Sequence, residues 1–126
     1  MSKPRSVLFA FLMLLSPINA FAHGEAPKPK HGGIVQEVQE IWLELVVKEN
    51  DVRVYVSDEA QKPIPASAVS GAATVLINGK SYKVELTPTR DESVDGKLPV
   101  AATGRLVATV SLKVGGKSVS ARFVGP

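Results

Sequence analysis

Residues 41–57 read Ile-Trp-Leu-Glu-Leu-Val-Val-Lys-Glu-Asn-Asp-Val-Arg-Val-Tyr-Val-Ser, and this stretch decides the fold. On both sides of the break at residues 49–51, every second residue is Ile, Leu or Val. A period of two places alternate side chains on opposite faces of a β-strand, and β-branched residues favour that conformation. The stretch therefore predicts two antiparallel strands, at residues 41–47 and 52–57, joined by a tight turn.

The same alternation continues along the rest of the chain. It predicts further strands at residues 34–38, 73–77, 82–87, 106–112 and 119–124, of which the first is the weakest. Asn78-Gly79 and Gly115-Gly116 tolerate positive φ and indicate hairpins, whereas residues 58–71 and 87–103 contain prolines and have the length of Greek-key crossovers. We therefore predict an all-β protein, an antiparallel immunoglobulin-like β-sandwich of about seven strands, with a small Greek-key barrel as the alternative.

The first 22 residues are typical of a secretory signal peptide. Lys3 and Arg5 precede an apolar run at residues 7–15, and the segment ends in Ala-Phe-Ala, a small-x-small cleavage signal. The run is too short to cross a bilayer, and nothing downstream predicts a membrane span in the mature chain. We predict a signal peptide at 1–22, a flexible His-containing tail at 23–33 and a single β-sandwich domain at 34–126, in a periplasmic protein.

The composition limits the chemistry that the mature chain can perform. The 126 residues include no Cys, and both methionines, Met1 and Met13, lie in the predicted leader. The mature chain then has no sulfur ligand, which excludes thiolate sites and argues against a Met-rich Cu(I) site. The formal net charge of +3 falls to +1 when Lys3 and Arg5 leave with the signal peptide. Because no basic stripe with interleaved aromatic residues is present, we predict no nucleic-acid partner.

The sequence does not bring together the groups of an active site. The serines lack a Gly-x-Ser-x-Gly context, and no histidine follows residue 31 to act as a base. Gly32-Gly33 and Gly115-Gly116 do not precede predicted helices, as a phosphate-binding loop requires. The acidic residues, among them Glu44, lack the spacing of a calcium loop and are typical of a solvated surface. We predict that the protein is not an enzyme.

The two histidines, His23 and His31, are the candidate metal ligands. After cleavage, His23 would offer an α-amine and an imidazole from one residue, and these two nitrogens can close a chelate ring on a divalent ion. His31 adds a third nitrogen if the tail folds back, and Glu25 adds an oxygen. A set of nitrogen and oxygen ligands suits weakly bound Cu(II) or Zn(II). The alternative is a solvated tail whose histidines bind nothing.

Two aromatic residues, Trp42 and Tyr55, lie on adjacent predicted strands, on the face opposite the main rows of Val and Leu. One interpretation is an aromatic patch that receives a partner or a cation. The other is that the tail or a crossover covers this face, and it is the one we favour.

Several short motifs resemble a family of small periplasmic proteins that occur alongside heavy-metal efflux systems. The motifs are His31-Gly32-Gly33-Ile34-Val35, Leu43-Glu44-Leu45-Val46-Val47, Val54-Tyr55-Val56-Ser57-Asp58, Lys62-Pro63 and Ala121-Arg122-Phe123. They are similar to a segment near the start of RND-type membrane-fusion subunits of cobalt–zinc–cadmium and copper efflux pumps. The resemblance implies an all-β periplasmic domain of a Gram-negative bacterium with a role in metal binding or tolerance. His31 is the residue matched as a ligand, whereas His23 does not come from the family pattern.

Two hypotheses follow for the function. The first is a periplasmic accessory protein that weakly binds a divalent transition metal of the copper or zinc class through His23 and His31. It would support metal tolerance or efflux, with the periplasmic subunit of an efflux pump as its partner. The second is a metal-independent structural or interaction module of an envelope assembly, which uses an edge strand or the Trp42 and Tyr55 face.

Overall fold

The computed structural model describes residues 28–90 and 92–125. The predicted signal peptide, His23 and Glu25 lie outside the described residues. The described chain forms eight strands: β1 (Ile34–Val38), β2 (Ile41–Lys48), β3 (Asp51–Ser57), β4 (Val69–Ile77), β5 (Lys80–Pro88), β6 (Ser93–Lys97), β7 (Leu106–Val114) and β8 (Lys117–Gly125). One short 3-10 turn, Ala66–Ala68, leads into β4.

All eight strands belong to one antiparallel sheet in the order β1-β2-β3-β6-β5-β4-β7-β8. The two end strands, β1 and β8, pack beside each other, and a Cβ added to Gly125 would lie only 2.8 Å from Cδ1 of Ile34. The sheet is therefore a nearly closed barrel. This confirms the all-β class, and of the two predicted architectures it agrees with the small barrel.

Two-residue turns join consecutive strands at several places. Asn78-Gly79 and Gly115-Gly116 have positive φ at both positions, as turns that match the right-handed twist of a hairpin require. Glu49-Asn50 joins β2 to β3, with Glu49 at a φ of 55°. The three predicted hairpins are confirmed, and a fourth turns at Gln39-Glu40, where both residues have positive φ without any glycine to signal it.

Strand β6 corrects the expectation that residues 87–103 form an irregular crossover. It lies between β3 and β5, with Ser93 opposite Tyr55 and Asp95 opposite Thr87. Only one of its five residues is a branched apolar residue, so it has no alternation to predict a strand. Gly96 fits here because a Cβ would overlap the side chain of Val84 and the backbone of the same neighbouring strand.

The core consists of the inward side chains of these strands. They are almost entirely Val, Leu, Ile and Ala, and Phe123 on β8 is the one aromatic residue fully buried among the described residues. The outward positions of β2 and β3 carry Trp42, Glu44, Arg53 and Tyr55, and these side chains form the floor of the candidate site.

Candidate functional site

The site centres on Glu44, which points away from the barrel core and is nevertheless only 7% exposed. Its direct neighbours across the sheet are Val35 on β1 and Tyr55 on β3. The expectation of a solvated carboxylate is wrong because the chain preceding β1 folds over this side chain. A buried carboxylate is costly unless hydrogen bonds compensate for lost hydration.

Four hydrogen-bond donors from the segment before β1 compensate for the hydration that the Glu44 carboxylate loses. The backbone N–H groups of His31 and Gly33 donate to Oε2 of Glu44 at 2.8 and 2.9 Å. The backbone N–H of Lys30 donates to Oε1 at 3.1 Å, and Nδ1 of His31 lies 3.0 Å from the same oxygen. We call this arrangement the Glu44 cradle. It fastens residues 30–33, which the sequence assigns to a flexible tail, onto the sheet.

The two glycines explain how the backbone reaches this position. Gly32 has a φ of 76°, a conformation that costs glycine little and turns successive N–H groups toward one side. Gly33 passes so close to β2 that a Cβ would overlap the carbonyl oxygen of Leu45. The His-Gly-Gly motif therefore has a physical reason: any larger residue at position 33 would push the segment away from Glu44.

The imidazole of His31 is held on two sides. Its ring stacks on the ring of Tyr55, with centroids 3.5 Å apart and planes 3° from parallel. Because a carboxylate only accepts hydrogen bonds, its contact with Glu44 places the proton on Nδ1. In the neutral ring Nε2 then carries the lone pair, and it has no hydrogen-bond partner among residues 28–90 and 92–125. The side chain is 42% exposed, so a small ligand can approach it.

The cradle also decides the charge state of Glu44. Burial acts to raise its pKa, but the hydrogen bonds from the His31 side chain and from three backbone N–H groups outweigh burial. The net result is that the pKa of Glu44 lies below its ordinary value of 4.5. At neutral pH the cradle therefore holds a carboxylate.

A row of polar side chains continues from the site across β3 and β6. A hydrogen bond with Tyr55 and the nearby carboxylate of Asp95 raise the pKa of Arg53. Nε of Arg53 lies 3.2 Å from Asp95, which also accepts a hydrogen bond of 2.7 Å from Ser93. Tyr55 thus provides the ring face under the imidazole, and Arg53 and Asp95 lie beside it on the same outward side of β3 and β6.

A hollow adjoins the cradle on the side of Trp42. Its lining includes Lys28 and Lys30 of the segment before β1, and Gln61 and Pro63 of the β3–β4 crossover. The indole N–H of Trp42 is buried without an acceptor among the described residues. The segment before β1 and the crossover thus both lie against the aromatic face, and the indole N–H stays buried beneath them without an acceptor among the described residues.

The two predicted ligands are not brought together within the described part of the chain. His31 packs against the sheet, whereas His23 and Glu25 lie outside the described residues. Among residues 28–90 and 92–125 no group of three His, Cys, Asp or Glu side chains is close enough to hold a metal ion. The same residues contain no helix long and apolar enough to cross a membrane. No family model, curated protein or solved structure matches the chain.

The lowered pKa of Glu44 predicts how the cradle responds to acid. Its stabilising effect is fully present above pH 4.5 and is lost as the pH falls through the lowered pKa, because the protonated acid accepts fewer hydrogen bonds. Trp42, the only tryptophan in the chain, reports the release. We expect its fluorescence to be constant from pH 7 to about pH 5 and to change below pH 4.5.

The control for this titration is Glu37→Gln, which removes an exposed carboxylate opposite Trp42 on β1. This variant should keep the acid transition. Glu44→Gln should lack it, and a transition of unchanged size and midpoint in Glu44→Gln would show that another group causes it.

Proposed function

We propose that the protein binds a divalent transition metal, Cu(II) or Zn(II), with modest affinity. Nε2 of His31 serves as the preoriented ligand, and the α-amine and imidazole of His23 complete the set after removal of the signal peptide. The observation that carries the proposal is the contact between Nδ1 of His31 and Glu44. Histidines that bind metals commonly donate their other ring N–H to a carboxylate, which fixes the tautomer and makes the ligating nitrogen more basic.

The order of the imidazole supports this assignment. Stacking on Tyr55 and the hydrogen bond to Glu44 fix the ring before any ligand arrives, so less side-chain entropy is lost on binding. His23 is eight residues upstream, and an extended chain of that length spans up to about 26–29 Å. His23 can therefore reach the ion, but ordering the intervening residues costs free energy, which keeps the affinity modest.

A modest affinity suits a protein that accepts an ion and releases it to a partner. The resemblance of residues 31–35 and 43–47 to segments of efflux-associated proteins supports a role in metal tolerance or efflux. We therefore propose a periplasmic accessory protein whose partner is the periplasmic subunit of an efflux pump. Copper and zinc are the metal classes that the nitrogen ligands favour.

Calorimetric titration of the processed protein with Cu(II) and with Zn(II) tests the proposal. We expect one ion per chain, a loss of affinity of at least about tenfold in His31→Ala, and complete loss when His23→Ala is added. Mass spectrometry of the processed protein checks the expectation that it begins at His23. Unchanged binding in the double variant would exclude the proposed ligands.

A second candidate function is supported by the buried indole N–H of Trp42. A buried donor without an acceptor costs free energy, and a partner that offers a carbonyl or carboxylate oxygen would recover it. The protein would then be a metal-independent interaction module that receives a partner in the hollow. Capture of a specific periplasmic protein that persists in chelator and is lost in Trp42→Phe would favour this function over metal binding.

A further inference from the structure

The outer face of strands β4, β5, β7 and β8 differs in charge from the half of the sheet that carries the Glu44 cradle. The outward positions of these four strands bear three cations, Lys83, Lys113 and Arg122, against the single acid Glu85. Lys80 and Lys117 lie at strand ends, opposite the buried residues Ile77 and Val114, and do not belong to the outward side. Strands β1, β2, β3 and β6 bear four acids and three cations. We call the outward side of β4, β5, β7 and β8 the cationic face.

Two cations of this face stand at the two ends of one row, and Lys113 and Arg122 have no ion-pair partner among the described residues. The register places Lys83, Thr74, Thr109 and Arg122 side by side in one row across β5, β4, β7 and β8. The one ion pair on the face joins Lys83 to Glu85 at 3.8 Å, with both side chains more than 70% exposed. An exposed pair of that length is screened by water, so the positive potential of the face persists.

An apolar row lies directly beside the cationic row. Leu76 pairs with Val107, and Val107 pairs with Val124, so that three aliphatic side chains adjoin across three strands. Leu76 is 40% and Val124 is 43% exposed, and they are two of the three most exposed large apolar residues among the described residues. Single exposed apolar residues need no explanation, but a contiguous row beside cations does.

We propose that the cationic face docks the protein on an anionic lipid surface. Cations near anionic headgroups and aliphatic side chains at the headgroup boundary are the two contributions that hold peripheral proteins on membranes. The outward positions also include eight Ser and Thr residues, whose hydroxyls can donate to headgroup phosphates. The positive charge and the apolar row therefore both favour an anionic lipid surface as the partner of this face.

The composition of the face also distinguishes a lipid surface from a macromolecular partner. Its outward residues include no Trp, Tyr or Phe, the residues that commonly anchor protein interfaces and stack on nucleic-acid bases. The short Ser, Thr and Val side chains offer little relief to fix the register of a folded partner. A fluid headgroup layer needs no such relief, because its molecules rearrange around the cations.

Lipid docking goes beyond the proposed metal binding and does not depend on it. The Glu44 cradle lies over β2 and β3, whereas the cationic face begins on the other side of β6 in the strand order. A bound membrane would therefore leave His31 accessible. The two proposals are separated by measuring Cu(II) binding of the lipid-binding variants, which we expect to be unchanged.

Co-sedimentation of the processed protein with vesicles tests the docking. We expect sedimentation with phosphatidylglycerol-containing vesicles, none with pure phosphatidylcholine, and weakening as salt is added. Lys83→Gln with Arg122→Gln should lower the partition coefficient about 25-fold, since each cation near an anionic surface contributes about fivefold. Leu76→Ser with Val124→Ser should lower it about tenfold.

The matched control is Lys48→Gln with Lys62→Gln, which removes the same charge from exposed positions outside the cationic face. The control should bind vesicles like the parent, and circular dichroism should establish that all variants are folded. Equal losses in the control and in Lys83→Gln with Arg122→Gln would overturn the proposal, because net charge alone would explain them. Absence of vesicle binding would also overturn it, and binding to poly-glutamate in its place would assign the face to an acidic protein partner.

Discussion

Replacing Glu44 with Gln is expected to detach residues 30–33 from the sheet and to weaken Cu(II) binding about 10- to 100-fold. The carboxylate accepts two hydrogen bonds at each oxygen. An amide has one oxygen, so its NH₂ group must face either two backbone N–H groups or the pair formed by the Lys30 N–H and Nδ1 of His31. Either orientation opposes a donor with a donor, and we expect a loss of about 2 kcal/mol or more in the free energy of unfolding.

In one orientation the amide oxygen keeps the hydrogen bonds from the backbone N–H groups of His31 and Gly33, and the NH₂ group faces Nδ1 of His31. This orientation also changes the tautomer of the imidazole. Nδ1 of His31 would then accept a hydrogen bond from the amide, and the ring proton would move to Nε2. The nitrogen assigned to the metal would lose its lone pair in that tautomer. This coupling explains why a substitution that leaves both proposed ligands in place should still weaken metal binding.

Amide hydrogen exchange of His31 and Gly33, together with copper titration, measures both effects. Glu37→Gln is the matched control, because it removes an exposed carboxylate from β1 and should leave exchange and affinity unchanged. Slow exchange that persists in Glu44→Gln would show that the cradle does not hold the segment. Faster exchange with unchanged copper affinity would separate the cradle from the metal site and reject the role proposed for Glu44.

Part of this site could be predicted from the sequence, and part could not. His31 is one of two histidines and follows the predicted leader closely, so composition alone makes it a candidate. Glu44 alternates with Leu43 and Leu45, and a period of two assigns it to an outward and hence solvated position. Periodicity reports which face a side chain takes but not what covers that face. The one available signal is Gly32-Gly33, since adjacent glycines allow the backbone to approach a neighbouring strand closely.

The fold shows the same division. Strands with regular apolar alternation, such as β2 and β7, could be recognised because each buries one face in the core. β6 could not, because its backbone pairs on both sides while only Val94 contributes a large apolar side chain to the core. The turn at Gln39-Glu40 could not be predicted from the sequence for a similar reason. Its positive φ values follow from the pairing of β1 with β2 and not from residues that prefer such values.

Phe123→Ala is expected to destabilise the barrel by about 3–5 kcal/mol. Phe123 is fully buried on β8, opposite Ala108 on β7, and it is the largest fully buried side chain of the described residues. The chain has no cysteine, so no disulfide limits the unfolded state, and the barrel depends on packing. Aliphatic neighbours on several strands surround the ring, and they cannot all move inward to fill the space that it leaves.

Urea denaturation followed by circular dichroism measures this loss, and Phe123→Leu provides a graded second point. Leu keeps most of the buried volume, so we expect a loss of about 1–2 kcal/mol, which remains measurable if Phe123→Ala does not fold. Val124→Ala, at the exposed neighbouring position, should change the stability by less than about 0.5 kcal/mol. Equal losses for Phe123→Leu and Val124→Ala would mean that β8 can leave the sheet without disturbing the core. That result would contradict a barrel whose last strand packs beside β1.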